Sequence, residues 1–151
     1  MADFVSGRQD FTPHGKRSIL RSAQPGSYTV VSKTISHTQY PSETIDGFPQ
    51  KVLNEGEALA VLTSGPGIGK VVPFQLGAAD GRQDPLNLVG VSKDYFGAEL
   101  MDRDVEAGVL VRGQLVQAWC TIRDAAGVRV ALTNTVADAL RSKKNLDILF
   151  F

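Results

Sequence analysis

Short apolar runs separated by glycine, proline and aspartate dominate the chain between residues 57 and 118. The separating residues are those that turns favour, and the runs are too short for long helices. This pattern predicts a compact β-rich body. The individual runs predict strands at 58–63, 71–76, 86–91 and 128–132, and the runs at 108–113 and 115–122 predict either two strands or one strand bent at Gly113.

The pattern changes near the C-terminus, where it predicts one helix and a last strand. Thr135 is placed to cap a helix that carries Val136 and Leu140 on one face. Alternation over residues 146–151 predicts the strand. The fold class is therefore mainly β (α+β), with one C-terminal helix. We expect three aromatic side chains in the core or in a subunit contact: Trp119, Phe150 and Phe151.

Residues 1–54 have the pattern of an extended arm preceding a body at 55–151. Over 1–26 neither the helical nor the strand period is sustained, and such a segment gains too little burial to offset its ordering entropy. Residues 27–37 predict a strand without a strongly apolar face, typical of a sheet edge or of pairing with another chain. Residues 38–56 predict loop and turn. The arm is expected to bind its partner through Phe4, Phe11, Ile19, Leu20, Tyr28, Val30 and Ile35.

Charge and cysteine content narrow the classes of function. The chain has 151 residues, with 16 Lys and Arg against 16 Asp and Glu. This neutral balance disfavours nucleic acid as the main partner, because phosphate binding needs a clustered basic excess. Cys120 is the single cysteine, which excludes an intrachain disulfide and favours a reducing compartment. The N-terminus lacks a secretory pattern, and no apolar run suits a membrane helix, so a soluble protein is expected.

The sequence contains only weak signals for a catalytic, phosphate-binding or metal-binding site. Ser64–Lys70 is rich in glycine but lacks the first glycine and the final Ser or Thr of a phosphate loop, so it predicts a turn. The acidic loop at 99–106 could bind a cation, although a solvated loop is the ordinary interpretation. Cys120 lies in an apolar run and is interpreted as packing. We expect no cofactor, no metal and no catalytic residues.

Several short motifs of the body occur in an order known from one family. After Val72-Pro73-Phe74 come Ala79, Asp80 and Gly81, and later Val111, Arg112 and Gly113. In this order and spacing, residues 55–151 resemble the head decoration (capsid cement) proteins of tailed bacteriophages, of the lambda type.

The resemblance implies a small mixed β fold that trimerises on the outer surface of a capsid, assembled in the host cytoplasm. The expected partners are the major capsid protein and further copies of the chain, with no nucleic acid, membrane or catalysis. One alternative is another particle component, such as a head fibre base or a tail accessory protein. A further alternative is a small β-barrel enzyme or ligand-binding module that uses the acidic loop at 99–106.

Overall fold

The computed structural model describes residues 19–22, 24 and 26–151, and in that part the fold is mainly β, as predicted. The helices are α1 (Glu99–Asp102) and α2 (Asn134–Ser142), with 3-10 turns at Pro85–Asn87 and Gln117–Trp119. The strands are β1 (Thr29–Ile35), β2 (Glu43–Ile45), β3 (Phe48–Gln50), β4 (Ala58–Val61), β5 (Val71–Pro73), β6 (Leu88–Ser92), β7 (Val105–Leu115), β8 (Thr121–Arg123), β9 (Arg129–Ala131) and β10 (Asp147–Phe150).

Five of these strands close into a barrel in the order β1-β5-β4-β6-β7, and β7 returns to β1. β1 runs antiparallel to β7 from Thr29↔Arg112 to Ile35↔Val105. The other side of β1 joins β5 in parallel through one pairing, Ile35↔Val71. β7 is long enough to extend past the barrel, and its last residues carry β10 in parallel.

Two apolar clusters fill the two sides of the barrel wall. The inner cluster draws on Ile35, Leu59, Val71 and Val109, which belong to different strands of the barrel. The outer cluster lies where α2 and β8 pack on the sheet, and it includes Leu110, Ile122 and Leu140. Alternate residues of β7 therefore supply both clusters, as the period of a strand requires.

The local predictions are confirmed with three corrections. Within the predicted loop at 38–56, β2 and β3 form a hairpin whose turn has positive φ at Asp46 and Gly47, which such tight turns require. Gly113 lies within β7, as the one-strand alternative predicted, but β7 ends at Leu115, and the 3-10 turn Gln117–Trp119 and β8 take the place of the strand predicted at 115–122. The cap of α2 is Thr133 and not Thr135, because the Thr133 side chain accepts a hydrogen bond from the Val136 amide.

The predicted division between arm and body at residue 54 does not match the packing. β1 pairs along its whole length with β7, so residues 29–54 belong to the same packed unit as the body. The contact extends further back, since Leu20 bridges Leu115 and the Arg21 amide donates to the Gln114 carbonyl at 2.8 Å. The structure therefore integrates most of the predicted arm into the barrel.

Three of the predicted partner-binding side chains are corrected for the same reason. Ile19, Leu20 and Ile35 are buried in the apolar clusters of their own chain. Their side chains are already shielded from solvent and are not exposed for binding to a partner. Tyr28 is half-buried against the outer cluster, whereas Val30 is 40% exposed. The predicted contacts at Phe4 and Phe11 lie outside the described residues.

Candidate functional site

The largest polar feature of the described residues is a cluster of four charged side chains, called here the charge cluster: Glu43, Glu57, Arg123 and Arg129. Glu57 and Arg123 are fully buried, with 3.1 Å between Glu57 Oε1 and Arg123 Nε. Arg129 Nη2 lies 3.0 Å from Glu57 Oε2 and 2.9 Å from Glu43 Oε1. The two positive and two negative charges balance within the protein interior.

Local pairing explains how these four side chains meet. Arg123 ends β8 and Arg129 begins β9, and the two residues pair directly across the hairpin. Glu57 lies just before β4 and bridges Thr121, while β2 supplies Glu43. The cluster therefore joins two hairpins to one end of the barrel.

Two backbone carbonyls accept further hydrogen bonds from the arginines of the cluster. The carbonyl of Val52 accepts from Arg123 Nη2 at 3.1 Å and from Arg129 Nη2 at 2.8 Å, and Gly127 accepts from Arg123 Nη1 at 3.0 Å. Buried charges are tolerated when they are paired and hydrogen-bonded in this way. Burial, the largest single effect, lowers the pKa of Arg123, but the neighbouring acidic groups, Glu57 first, together outweigh it and the pKa is raised.

Tyr40 adds a neutral hydrogen-bond donor to the charge cluster. Its hydroxyl donates to the Val52 carbonyl at 2.9 Å and to Glu57 Oε2 at 3.2 Å. Burial first, and then the negative charge of Glu57, raise the pKa of Tyr40 well above its usual value. The phenol therefore keeps its proton and acts as a structural donor.

A cleft of about 470 Å³ opens beside the charge cluster. Its lining includes Asn54, Tyr95 and Arg129. Asn54 Oδ1 and Arg129 Nε are buried and have no hydrogen-bond partner within the described part of the chain. Both atoms therefore lie under the cleft wall, where a polar group could satisfy them only after a local side-chain rearrangement.

A second polar contact joins three loops of the barrel. His37 follows β1, Lys70 precedes β5 and Asp104 precedes β7. Asp104 Oδ1 lies 2.7 Å from His37 Nδ1, and Asp104 Oδ2 accepts from Lys70 Nζ at 2.5 Å. The hydrogen bond from Lys70, followed by those from His37, holds the pKa of Asp104 well below its usual range. This triad stabilises the loops in one arrangement.

The acidic loop at 99–106 does not form a shared carboxylate site. Asp104 is committed to His37 and Lys70, whereas Glu106 accepts hydrogen bonds from Thr34 and Ser32 on β1. Those two hydroxyls, Thr34 first, lower the pKa of Glu106. Among residues 19–22, 24 and 26–151, no three His, Cys, Asp or Glu side chains are grouped so that they could hold a metal ion.

The interpretations of Cys120 and of the glycine-rich loop are confirmed. Cys120 is fully buried, and burial raises the pKa of its thiol to about 12, so the group stays protonated. Residues 64–70 form the turn between β4 and β5, with positive φ at Gly65, Gly67 and Gly69. Neither segment has the geometry of a nucleophile or a phosphate site.

Of the three aromatic residues predicted for the core or a subunit contact, one lies in the core and two lie at the surface of the chain. Phe150 is buried in the outer cluster. Trp119 is 39% exposed on its 3-10 turn, and Phe151 is 55% exposed. The guanidinium carbon of Arg21 lies 4.1 Å from the centroid of the Phe151 ring, a cation–π contact.

The motif residues have identifiable structural roles. In the first motif, Ala79 is exposed. Asp80 forms an ion pair with Arg82 at 2.8 Å, and the hydrogen bond from Arg82 lowers the pKa of Asp80. Gly81 has a positive φ of 108° and lies close to Thr63. In the second motif, Val111 is half-buried. Arg112 is exposed and donates to the Gly26 carbonyl at 3.0 Å, while Gly113 is buried beside Tyr28.

The sequence pattern does not predict the charge cluster or the triad of His37, Lys70 and Asp104. Glu57 and Arg123 each adjoin an almost wholly apolar run, and a charge at the end of a buried strand was the available signal. Which opposite charge each would meet depends on strand pairings between distant residues. That part could not be read from the local pattern.

Comparison of the chain with protein-family models, with curated proteins and with solved structures finds no match. In the described part of the chain, no helix has both the length and the apolar character needed to cross a membrane.

Proposed function

We propose that this chain is a structural protein of a phage head, which binds the outer capsid surface as a trimer and holds neighbouring major capsid subunits together. The observation that carries the proposal is the open edge of β10. Among the described strands β10 pairs with β7 alone, and Leu149 and Phe151 beside this edge are 48% and 55% exposed. An unpaired strand edge with apolar side chains is suited to pairing with another chain.

The end of β7 brings this edge close to the point where the N-terminal segment joins the body. Leu115 pairs with Leu20 on one side and with Phe150 on the other. Residues 1–18 therefore precede a segment that is held against β7, across from β10. We assign Phe4 and Phe11, within residues 1–18, to the capsid contact. Three such N-terminal segments per trimer raise the overall affinity through effective concentration.

The polar contacts of the barrel support a role in which the protein resists mechanical force. The charge cluster holds two hairpins against the barrel, and the triad of His37, Lys70 and Asp104 joins three of its loops. A body fixed in this way keeps the relative positions of its contact surfaces when neighbouring subunits pull on it. This property is required of a capsid cement, in contrast to an enzyme that opens and closes.

The mass of the assembly and its place on the particle test the proposal. Three copies of the 16.2 kDa chain give about 49 kDa by analytical ultracentrifugation. Coexpression with the major capsid protein of the same genome is expected to give decorated shells in electron cryomicroscopy. L149K combined with F151K is expected to reduce occupancy, whereas I68K, which alters a 65% exposed side chain in the β4–β5 turn, is the matched control. A monomer at every concentration together with undecorated shells would overturn the proposal.

The cleft beside the charge cluster supports a second candidate, a small ligand-binding module. Its lining contains Asn54 and Arg129 but no residue of the loop at 99–106, so the ligand would contact different residues from those first considered. Native mass spectrometry of the chain purified from its host tests this candidate. A retained small molecule that is lost in N54A and kept in Q83A would favour it over the structural role.

A further inference from the structure

An apolar cleft of about 390 Å³ lies at one mouth of the barrel. Its floor is formed by Val31 of β1, Val89 of β6, Val111 of β7 and Leu146, which precedes β10. Val31 and Val89 also pack against the inner cluster, so the cleft continues the apolar interior of the barrel toward solvent.

A second cleft of about 320 Å³ continues the first along β7. The two clefts share Val111, Asn145 and Leu146. Together they form one elongated surface, called here the barrel-mouth groove, that runs from the interior of the barrel to the start of β10. The two adjoining clefts provide room for more than one side chain of a bound segment.

The rim of the barrel-mouth groove is basic although the chain as a whole is neutral. The charged side chains that line it are Lys33, Arg112, Lys143, Lys144 and Asp147. Lys33 is half-buried, and neither it nor Lys144 has a carboxylate partner among the described residues. Lys143 Nζ donates to the Leu86 carbonyl at 2.6 Å, and that contact leaves its charge without a carboxylate.

We propose that the barrel-mouth groove binds an extended segment of a partner protein in which carboxylate side chains alternate with aliphatic ones. In an extended segment successive side chains point to opposite sides. The aliphatic residues enter the floor at Val31, Val89 and Val111, and the carboxylates meet Lys33 and Lys143 at the rim. As an assignment to the major capsid protein this rests on the proposed function, whereas the chemistry of the segment does not.

The composition of the groove favours a polypeptide over a nucleic acid. Single-stranded nucleic acids are bound by basic grooves that carry aromatic rings on which bases stack. The side chains that line this groove include no aromatic ring, and its floor is aliphatic. Such a floor buries valine or leucine side chains well but offers no stacking surface to a base.

Peptide titration with the full chain tests the proposal directly. The probe is a fluorescent octapeptide that alternates glutamate with valine, and the control probe alternates lysine with valine. We expect the acidic peptide alone to bind and to shift the amide resonances of Val31, Val89, Val111 and Leu146. K33E combined with K143E is expected to weaken binding by about tenfold or more. The milder K33Q/K143Q pair gives the same direction if charge reversal affects folding.

A matched variant outside the groove separates local from general electrostatics. Arg103 is exposed and does not line the groove, so R103E is expected to leave peptide binding unchanged. Equal binding of the two peptides, an equal loss in R103E, or absence of shifts at the groove would overturn the proposal. Stronger binding of a thymidine oligonucleotide at the same resonances would overturn it as well.

Capsid binding by the same variants distinguishes this inference from the proposed function. If the acidic peptide binds the groove but the chain does not decorate shells, the groove stands and the capsid role fails. If K33E/K143E loses the peptide but decorates shells fully, the capsid role stands and the groove is not its contact.

Discussion

The Glu57 carboxylate and the Arg123 guanidinium lie 3.1 Å apart with both side chains fully buried, although 66 residues separate them in the chain. Removing either charge leaves the charge cluster with a net charge in a medium that solvates ions poorly. Replacing only one residue of the pair is therefore expected to destabilise the folded chain strongly.

We expect E57Q to lower the free energy of unfolding by about 3–5 kcal/mol, because it leaves Arg123 and Arg129 short of one negative charge inside the protein. Urea denaturation followed by circular dichroism measures this change. D102N is the control, since Asp102 is an exposed carboxylate, and it is expected to stay close to the wild type. A loss for E57Q no larger than that for D102N would contradict the prediction.

Replacing Asp104 is expected to change the pH dependence of stability. Its pKa is lower in the folded than in the unfolded chain, so its contribution is complete above the ordinary aspartate range and disappears as the pH falls through and below that range. D104A is expected to cost about 1–2 kcal/mol at pH 7. The difference from wild type should shrink steadily as the pH falls below the ordinary aspartate range, as measured by urea denaturation across a pH series. D102A, an exposed neighbour, is expected to show neither effect.

Gly81 is expected to tolerate no side chain. A Cβ atom there would lie 2.2 Å from Thr63 Oγ1 and 2.9 Å from the Thr63 amide nitrogen, and φ is 108°. G81A is expected to destabilise the fold by about 2–4 kcal/mol through this clash and the backbone strain. G69A has a similar positive φ but open space around the new atom, so about 1 kcal/mol is expected. Equal changes in melting temperature for the two variants would argue against the contact with Thr63.

Cys120 is expected to react with thiol reagents only after the chain unfolds. Its side chain is fully buried, and burial raises its pKa to about 12, so the reactive thiolate is scarce at neutral pH. The rate of modification by a chromogenic disulfide should follow the degree of unfolding in guanidinium chloride. Fast labelling of the native chain, at the rate seen in denaturant, would show that the thiol is accessible.

The strands of the body could be predicted because each apolar run carries its own signal. Ala58–Val61 and Val71–Pro73 are almost wholly buried, and glycine-rich turns mark their ends. The role of β1 could not be predicted in the same way, since its two faces look alike in polarity. Its partner β7 lies far along the chain, as the hydrogen bond between Ser32 and Glu106 illustrates across 74 residues.

The charge cluster shows the same limit for polar side chains. An isolated glutamate or arginine in a sequence predicts exposure, and this default is wrong for Glu57 and Arg123. Their burial is possible only because the β8–β9 hairpin brings Arg123 and Arg129 together opposite Glu57. The local sequence contains each charge but no information about which pairing will neutralise it.

The pairing of β1 with β7 also has a consequence during protein synthesis. Thr29 and Arg112 are 83 residues apart in the chain. Because ribosomes add about 5–20 residues per second, β1 is synthesised roughly 4–17 s before the β7 residue with which it pairs. Throughout that delay the nascent chain carries an unmatched strand. The hydroxyl and ammonium groups of Ser32, Lys33 and Thr34 make this strand a poor template for aggregation, which keeps the newborn chain competent to close its barrel.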